Sequence, residues 1–115
     1  KSVKRSRILL LGLAYKRDVS DTRDSPAFEV ARLLEEQGAL IRYHDPHVPA
    51  AEVNGRKMRS VPLSAKILAG SDCVVLLTDH TSVDYSRVLK SAKVIVDTRN
   101  QYGNLSVASR KVITL

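Results

Sequence analysis

Scarcity sets the first limits on this sequence. It contains a single cysteine, Cys73, so no internal disulfide can form, and a reducing cytoplasmic setting is expected. Long apolar runs are missing too. The longest, Ile8–Leu11 and Cys73–Leu77, are strand-sized, far from the about 20 residues that span a bilayer. The basic start, Lys1 to Arg7, leads straight into a glycine turn without a signal-peptide-like hydrophobic stretch and cleavage site, so neither export nor membrane association is expected. Aromatic residues make up 4% of the chain and form no stacking pattern beside its basic clusters, and no helix-turn-helix pattern is evident. The net charge of +7 therefore points to a phosphate-bearing partner without naming it. Repeats and low-complexity stretches are absent. At 115 residues, with 43% hydrophobic and 27% charged residues, the chain has room for one globular domain and no more.

What remains is an alternation of strand and helix signals. Arg7–Leu13 reads as a buried strand, followed by a polar loop over Tyr15–Asp24. Ser25-Pro26 reads as a helix start, with serine capping free amides and proline pre-set for the first helical position. Ala27, Val30, Ala31 and Leu34 recur at helical spacing, and Gly38 stops the helix. Strands are expected at Ala39–Tyr43, Asp72–Thr78, Lys93–Asp97 and Lys111–Leu115, and helices at Pro62–Ala69 and Ser82–Ser91. Val48–Ser60 reads as irregular, with a turn at Asn54-Gly55 and at most a short strand at Lys57–Ser60. Asp72–Thr78 is the most apolar strand and is expected to be buried on both faces. The fold class is α/β, a Rossmann-like doubly wound, mostly parallel sheet in a single domain, residues 8–115, with residues 1–7 as a basic linker remnant.

In such a sheet, ligands sit at the carboxyl ends of the strands. Four polar loops fall there, carrying Tyr15-Lys16, His44-Asp45-Pro46, Thr78-Asp79-His80 and Asp97-Thr98-Arg99-Asn100. The first turn is not a dinucleotide fingerprint. G-x-G-x-x-G requires two further glycines for the pyrophosphate and the helix packing, and those positions hold Ala14 and Arg17. His44 and His47 do not form a metal pair, because Pro46 disrupts a helix between them and no further ligand completes a set; no metal is expected. Cys73, set among valines, reads as a small core residue, and His80 as a loop hydrogen-bonder.

Gly12-Leu-Ala-Tyr-Lys16, Asp18-Val19, Asp21-Thr-Arg23 and Ser25-Pro-Ala27 resemble the opening of the C-terminal domain in the UDP-glucose/GDP-mannose dehydrogenase family. The resemblance runs on through Gly38-Ala39, Tyr43-His-Asp-Pro46, Thr78-Asp-His80 and Val96-Asp-Thr-Arg-Asn100, covering nearly the whole chain in order. The wording of the first segment is nearest the branch that acts on UDP-N-acetylhexosamines. The resemblance implies the substrate-binding part of an NAD-dependent enzyme that oxidises the C6 alcohol of a UDP-sugar to a uronate for polysaccharide biosynthesis. On that basis Tyr15, Lys16 and Arg99 are expected to contact the UDP-sugar, with Asp18, Asp21 and Arg23 supporting their loop. The family's thiolate nucleophile and its NAD site would belong to a part of the parent enzyme absent here, so no catalytic residue is assigned and the chain alone is expected to be inactive. The NAD-binding and helical domains of the same parent chain are the expected partners, and a homodimer is the expected form of that parent. Two other readings stay open: a stand-alone nucleotide- or anion-binding regulatory module, and a basic nucleic-acid-binding domain.

Overall fold

The computed structural model describes residues 3–103 and 110–114. Strands β1 (Arg7–Leu11), β2 (Leu40–His44), β5 (Cys73–Leu76), β6 (Ile95–Asp97) and β7 (Val112–Thr114) form one sheet in the order β2-β1-β5-β6-β7. Every pairing within it is parallel. Helices α1 (Pro26–Glu36), α2 (Ala65–Ala69) and α3 (Tyr85–Ser91) lie in the crossovers from β1 to β2, β2 to β5 and β5 to β6, and β3 (Ala50–Val53) pairs antiparallel with β4 (Arg56–Arg59) in a separate hairpin. The doubly wound α/β architecture expected from the alternation is present.

Strand alternation divides β1 between two cores. Ile8 and Leu10 face Ala27 and Ala31 of α1, whereas Leu9 and Leu11 face Leu68 of α2 and Val88 of α3. The strand order explains this division. The β1-to-β2 crossover runs toward one edge, and the β2-to-β5 and β5-to-β6 crossovers run the other way. A common right-handed sense therefore sends α1 to one face and α2 and α3 to the other.

That topology corrects the expectation that β5 is buried on both faces. Val74 and Leu76 are buried, but Cys73 and Val75 on the α1 side are only half-buried, as are Val94 and Val96 beside them. Among the described residues, α1 is the one helix on that face, and it packs over β1 and β2.

The helix signals appear as read, with tighter bounds. The Ser25 hydroxyl accepts from the Ala27 amide and Pro26 opens α1. Ser64 and Asp84 cap α2 and α3, which begin later than their sequence patterns suggest. Val48–Ser60 is not irregular. Asn54 and Gly55 both adopt positive φ, 53° and 80°, the two-residue turn whose twist suits a hairpin, and it joins β3 to β4. Val53 and Met58 anchor the hairpin in the α1-side core. At the amino edge, the Arg5 amide bonds to the Gly38 carbonyl and the Arg7 amide to the Asp72 carboxylate. Lys1, Ser2 and Leu115 lie outside the described residues, so the ends of the linker and of the last strand do too.

Candidate functional site

The loops at the carboxyl ends of β1, β2 and β5 converge on Asp45, only 1% exposed. Its Oδ2 accepts from the amides of Leu13 (2.7 Å) and Ala14 (2.9 Å) and sits 2.9 Å from His80 Nε2. Its Oδ1 accepts from the His47 amide at 2.8 Å. Burial alone would raise this carboxyl, but the donors outweigh it and hold Asp45 below the ordinary carboxylate range. Strand β1 stops at Leu11, two residues before the sequence pattern suggests, because these amides turn away from the ladder toward Asp45.

His80, also 1% exposed, joins a third loop to this hub. Its Nδ1 accepts from the Asp18 amide at 2.9 Å, so Nε2 carries the proton and donates to Asp45. The Asp18 carboxylate in turn accepts from the Thr81 amide at 2.7 Å and from its hydroxyl, contacts that lower the Asp18 carboxyl. Thr78 donates its hydroxyl to the Ala14 carbonyl at 2.7 Å. Gly12 makes this contact between loops possible: it adopts φ +97°, and a Cβ there would lie 2.5 Å from the Thr78 carbonyl oxygen.

This geometry bears on two ligand chemistries. In a dinucleotide site the amides after β1 point at a pyrophosphate. Here the Leu13 and Ala14 amides are taken by an internal carboxylate, so the turn does not fit a dinucleotide. An Asp18 carboxylate oxygen and ring nitrogens of His47 and His80 lie within 4.8 Å of one another, a grouping that the sequence spacing of His44 and His47 did not suggest. Both His80 nitrogens already serve hydrogen bonds, which leaves no lone pair for an ion. His44 faces elsewhere, its Nδ1 lying 2.7 Å from the Val61 carbonyl.

Cations and an aromatic ring rim the hub. Tyr15 is 53% exposed, and Lys16 and Arg99 are exposed as well. The Arg17 guanidinium forks onto Asp79, Nε to the carbonyl (3.1 Å) and Nη2 to the carboxylate (2.8 Å). The Arg99 side chain lies 3.7 Å from the other Asp79 oxygen, while buried Asp97 accepts the Arg99 and Tyr102 amides and so shapes the β6 loop. Asp21 accepts from the amide and the guanidinium of Arg23, which lowers its carboxyl to about 2. That pair is exposed, and the Asp21 carbonyl accepts the Tyr15 amide at 2.7 Å. Cys73 lies on the sheet, remote from these loops, and burial pushes its thiol up, opposite to an activated nucleophile.

Sequence reading thus brought Tyr15, Lys16 and Arg99 to one edge but passed over two residues. In the sequence Asp45 is only one member of the polar loop His44-Asp45-Pro46, and Arg17 only the place of a missing glycine. The usable signal for Asp45 was an acidic residue directly after a buried strand adjacent to the first turn.

The model of the UDP binding domain of the UDP-glucose/GDP-mannose dehydrogenase family matches residues 9–104. The chain belongs to this family. It is similar to a UDP-N-acetyl-D-mannosamine dehydrogenase of Methanococcus maripaludis, 33% identical over 108 residues, spanning 85% of this chain and 23% of that protein. A UDP-glucose 6-dehydrogenase of Rhizobium meliloti is 31% identical over 115 residues, spanning 92% and 26% of the two chains. The solved structure of a UDP-D-ManNAc dehydrogenase from Pyrococcus horikoshii superposes with a TM-score of 0.65 at 33% identity, over 86% of this chain and 23% of that one. The chain therefore spans about a quarter of the length of these family members. Among the described residues no helix is long and apolar enough to cross a membrane.

Proposed function

We propose that this chain is the nucleotide-sugar-binding portion of a longer NAD-dependent UDP-sugar 6-dehydrogenase, acting in the cytoplasm in uronate formation for polysaccharide biosynthesis. The match to a UDP binding domain, on a fold whose carboxyl edge is rimmed by cations, carries this reading. Tyr15 offers a ring face to the ligand. Lys16 supplies a mobile ammonium, and Arg99 a planar fork suited to phosphate oxygens. Asp18, Asp21 and Arg23 hold the loop between them. The substrate class is a UDP-hexose or UDP-N-acetylhexosamine, in keeping with the names of the relatives.

Oxidation of the sugar C6 alcohol to a carboxylate requires hydride acceptance by NAD and a thiolate nucleophile. Neither role fits residues of this chain, since the β1 turn is closed to a pyrophosphate and the Cys73 thiol is pushed up. Both functions belong to the remaining three quarters of the parent polypeptide, whose NAD-binding and helical domains are the partners and whose active form is a homodimer. A UDP titration followed by amide NMR tests the binding role. Resonances of Tyr15, Lys16 and Arg99 should move together at millimolar UDP; silence at all three would remove the reading.

A further inference from the structure

Two arginines from different loops share one buried carboxylate, and they hold it unequally. Asp79 is 5% exposed, whereas the side chains of Arg17 and Arg99 are 59% and 53% exposed. Arg17 makes a fixed fork to Asp79, using Nε and Nη2. Arg99 sits at 3.7 Å, close enough for attraction but beyond a hydrogen bond. A buried carboxylate without a donor is costly, so whichever cation is nearest will be drawn to it. In this arrangement Arg17 meets that demand, and the Arg99 fork remains exposed on the ligand edge.

We propose that Arg17 is a positioning residue of the nucleotide-sugar site, engaging Asp79 so that the Arg99 guanidinium stays available to a ligand diphosphate. This rests on the binding role proposed above. When Arg17 is removed, Arg99 closes onto Asp79 and its donors are spent inside the protein. Arg17 acts at the ligand through Arg99, and its own contact with ligand is not required.

The test uses three variants of the 115-residue chain: Arg17→Gln, Arg17→Lys, and Arg17→Gln combined with Asp79→Asn. Because Arg99 takes over Asp79 when Arg17 is lost, the single variants should stay folded with a thermal midpoint near wild type, which is checked first. Without ligand, the Arg99 Nε–H resonance should shift and exchange more slowly with water in Arg17→Gln, as expected of a newly formed ion pair, and return to its wild-type position in the double variant. With UDP, Kd should rise about tenfold in Arg17→Gln and recover to within about threefold of wild type in the double variant. Arg17→Lys keeps the charge but loses the fork; a Kd raised by about threefold, with a shifted Arg99 signal, separates positioning from net charge. An unmoved Arg99 signal in Arg17→Gln, or a double variant that binds as weakly as Arg17→Gln, overturns the proposal. If the wild-type chain does not respond to UDP at all, the binding role fails instead, and the ligand-free Arg99 signal still decides whether Arg17 controls the tether.

Discussion

The ligand edge has an inner ring and an outer ring that spend their polar groups in opposite directions. In the inner ring, Asp45, His80, Thr78 and Asp97 are buried and bonded to loop backbone or to one another. The outer ring of Tyr15, Lys16, Arg17 and Arg99 is exposed, and where its members are tied, the tie is to an acid at their base. The contrast teaches that shape and affinity are built from separate residues. The inner ring fixes where the loops stand, and the outer ring meets the solvent and any anion within it. Substitutions in the two rings should therefore move different observables.

The largest effect is expected at Asp45. Asp45→Ala strands the amides of Leu13 and Ala14 and the imidazole of His80, and should lower unfolding free energy by about 3–5 kcal/mol in urea denaturation. A loss below about 1 kcal/mol would show that water replaces the carboxylate and that the inner ring is not structural. Next is Gly12→Ala, which combines a disfavoured positive φ with a clash against Thr78. A loss of about 3 kcal/mol is expected, and amide shifts should spread to the β5 loop.

Acid should attack the inner ring through the same carboxylate. The folded pKa of Asp45 lies below its unfolded value, so its stabilisation is complete above about pH 4 and is lost as pH falls through the folded value. Thermal midpoints between pH 2 and 7 should show a shallower acid limb for Asp45→Asn than for wild type; parallel limbs would assign the acid sensitivity to other groups. In the outer ring, Lys16→Ala should leave the thermal midpoint unchanged while weakening UDP binding about tenfold by calorimetry. Smallest of all is Asp21→Asn. Its exposed pair with Arg23 is expected to be silent in stability, with only a slight loss of affinity as the Tyr15 loop loosens.

The sequence revealed the parts whose causes are local. Ser25-Pro26 and Gly38 bound α1 because a cap and a stop act within one turn, and the strand–helix alternation suffices for the fold class. Contacts that join distant segments were hidden. Asp45 reaches Leu13 and Ala14 across 32 and 31 residues, and Arg17 reaches Asp79 across 62, so no spacing rule connects them. Strand β3, with the sequence Ala50-Ala51-Glu52-Val53, carries a weak strand signal and is held by its turn and by packing against the α1-side core. The half-covered face of β5 follows from strand order, which hydrophobicity along one strand does not contain.

That half-covered face also bears on how the domain responds to temperature. Val75, Val94, Val96 and Ile113 keep part of their surface in water even in the folded state. Unfolding consequently exposes less new apolar surface than it would from a sheet with helices over all of both faces. The heat-capacity increment of the isolated domain should then fall below the usual about 12–15 cal/mol/K per residue. Its stability curve is correspondingly flatter, varying less between cold and warm conditions than its size alone would suggest.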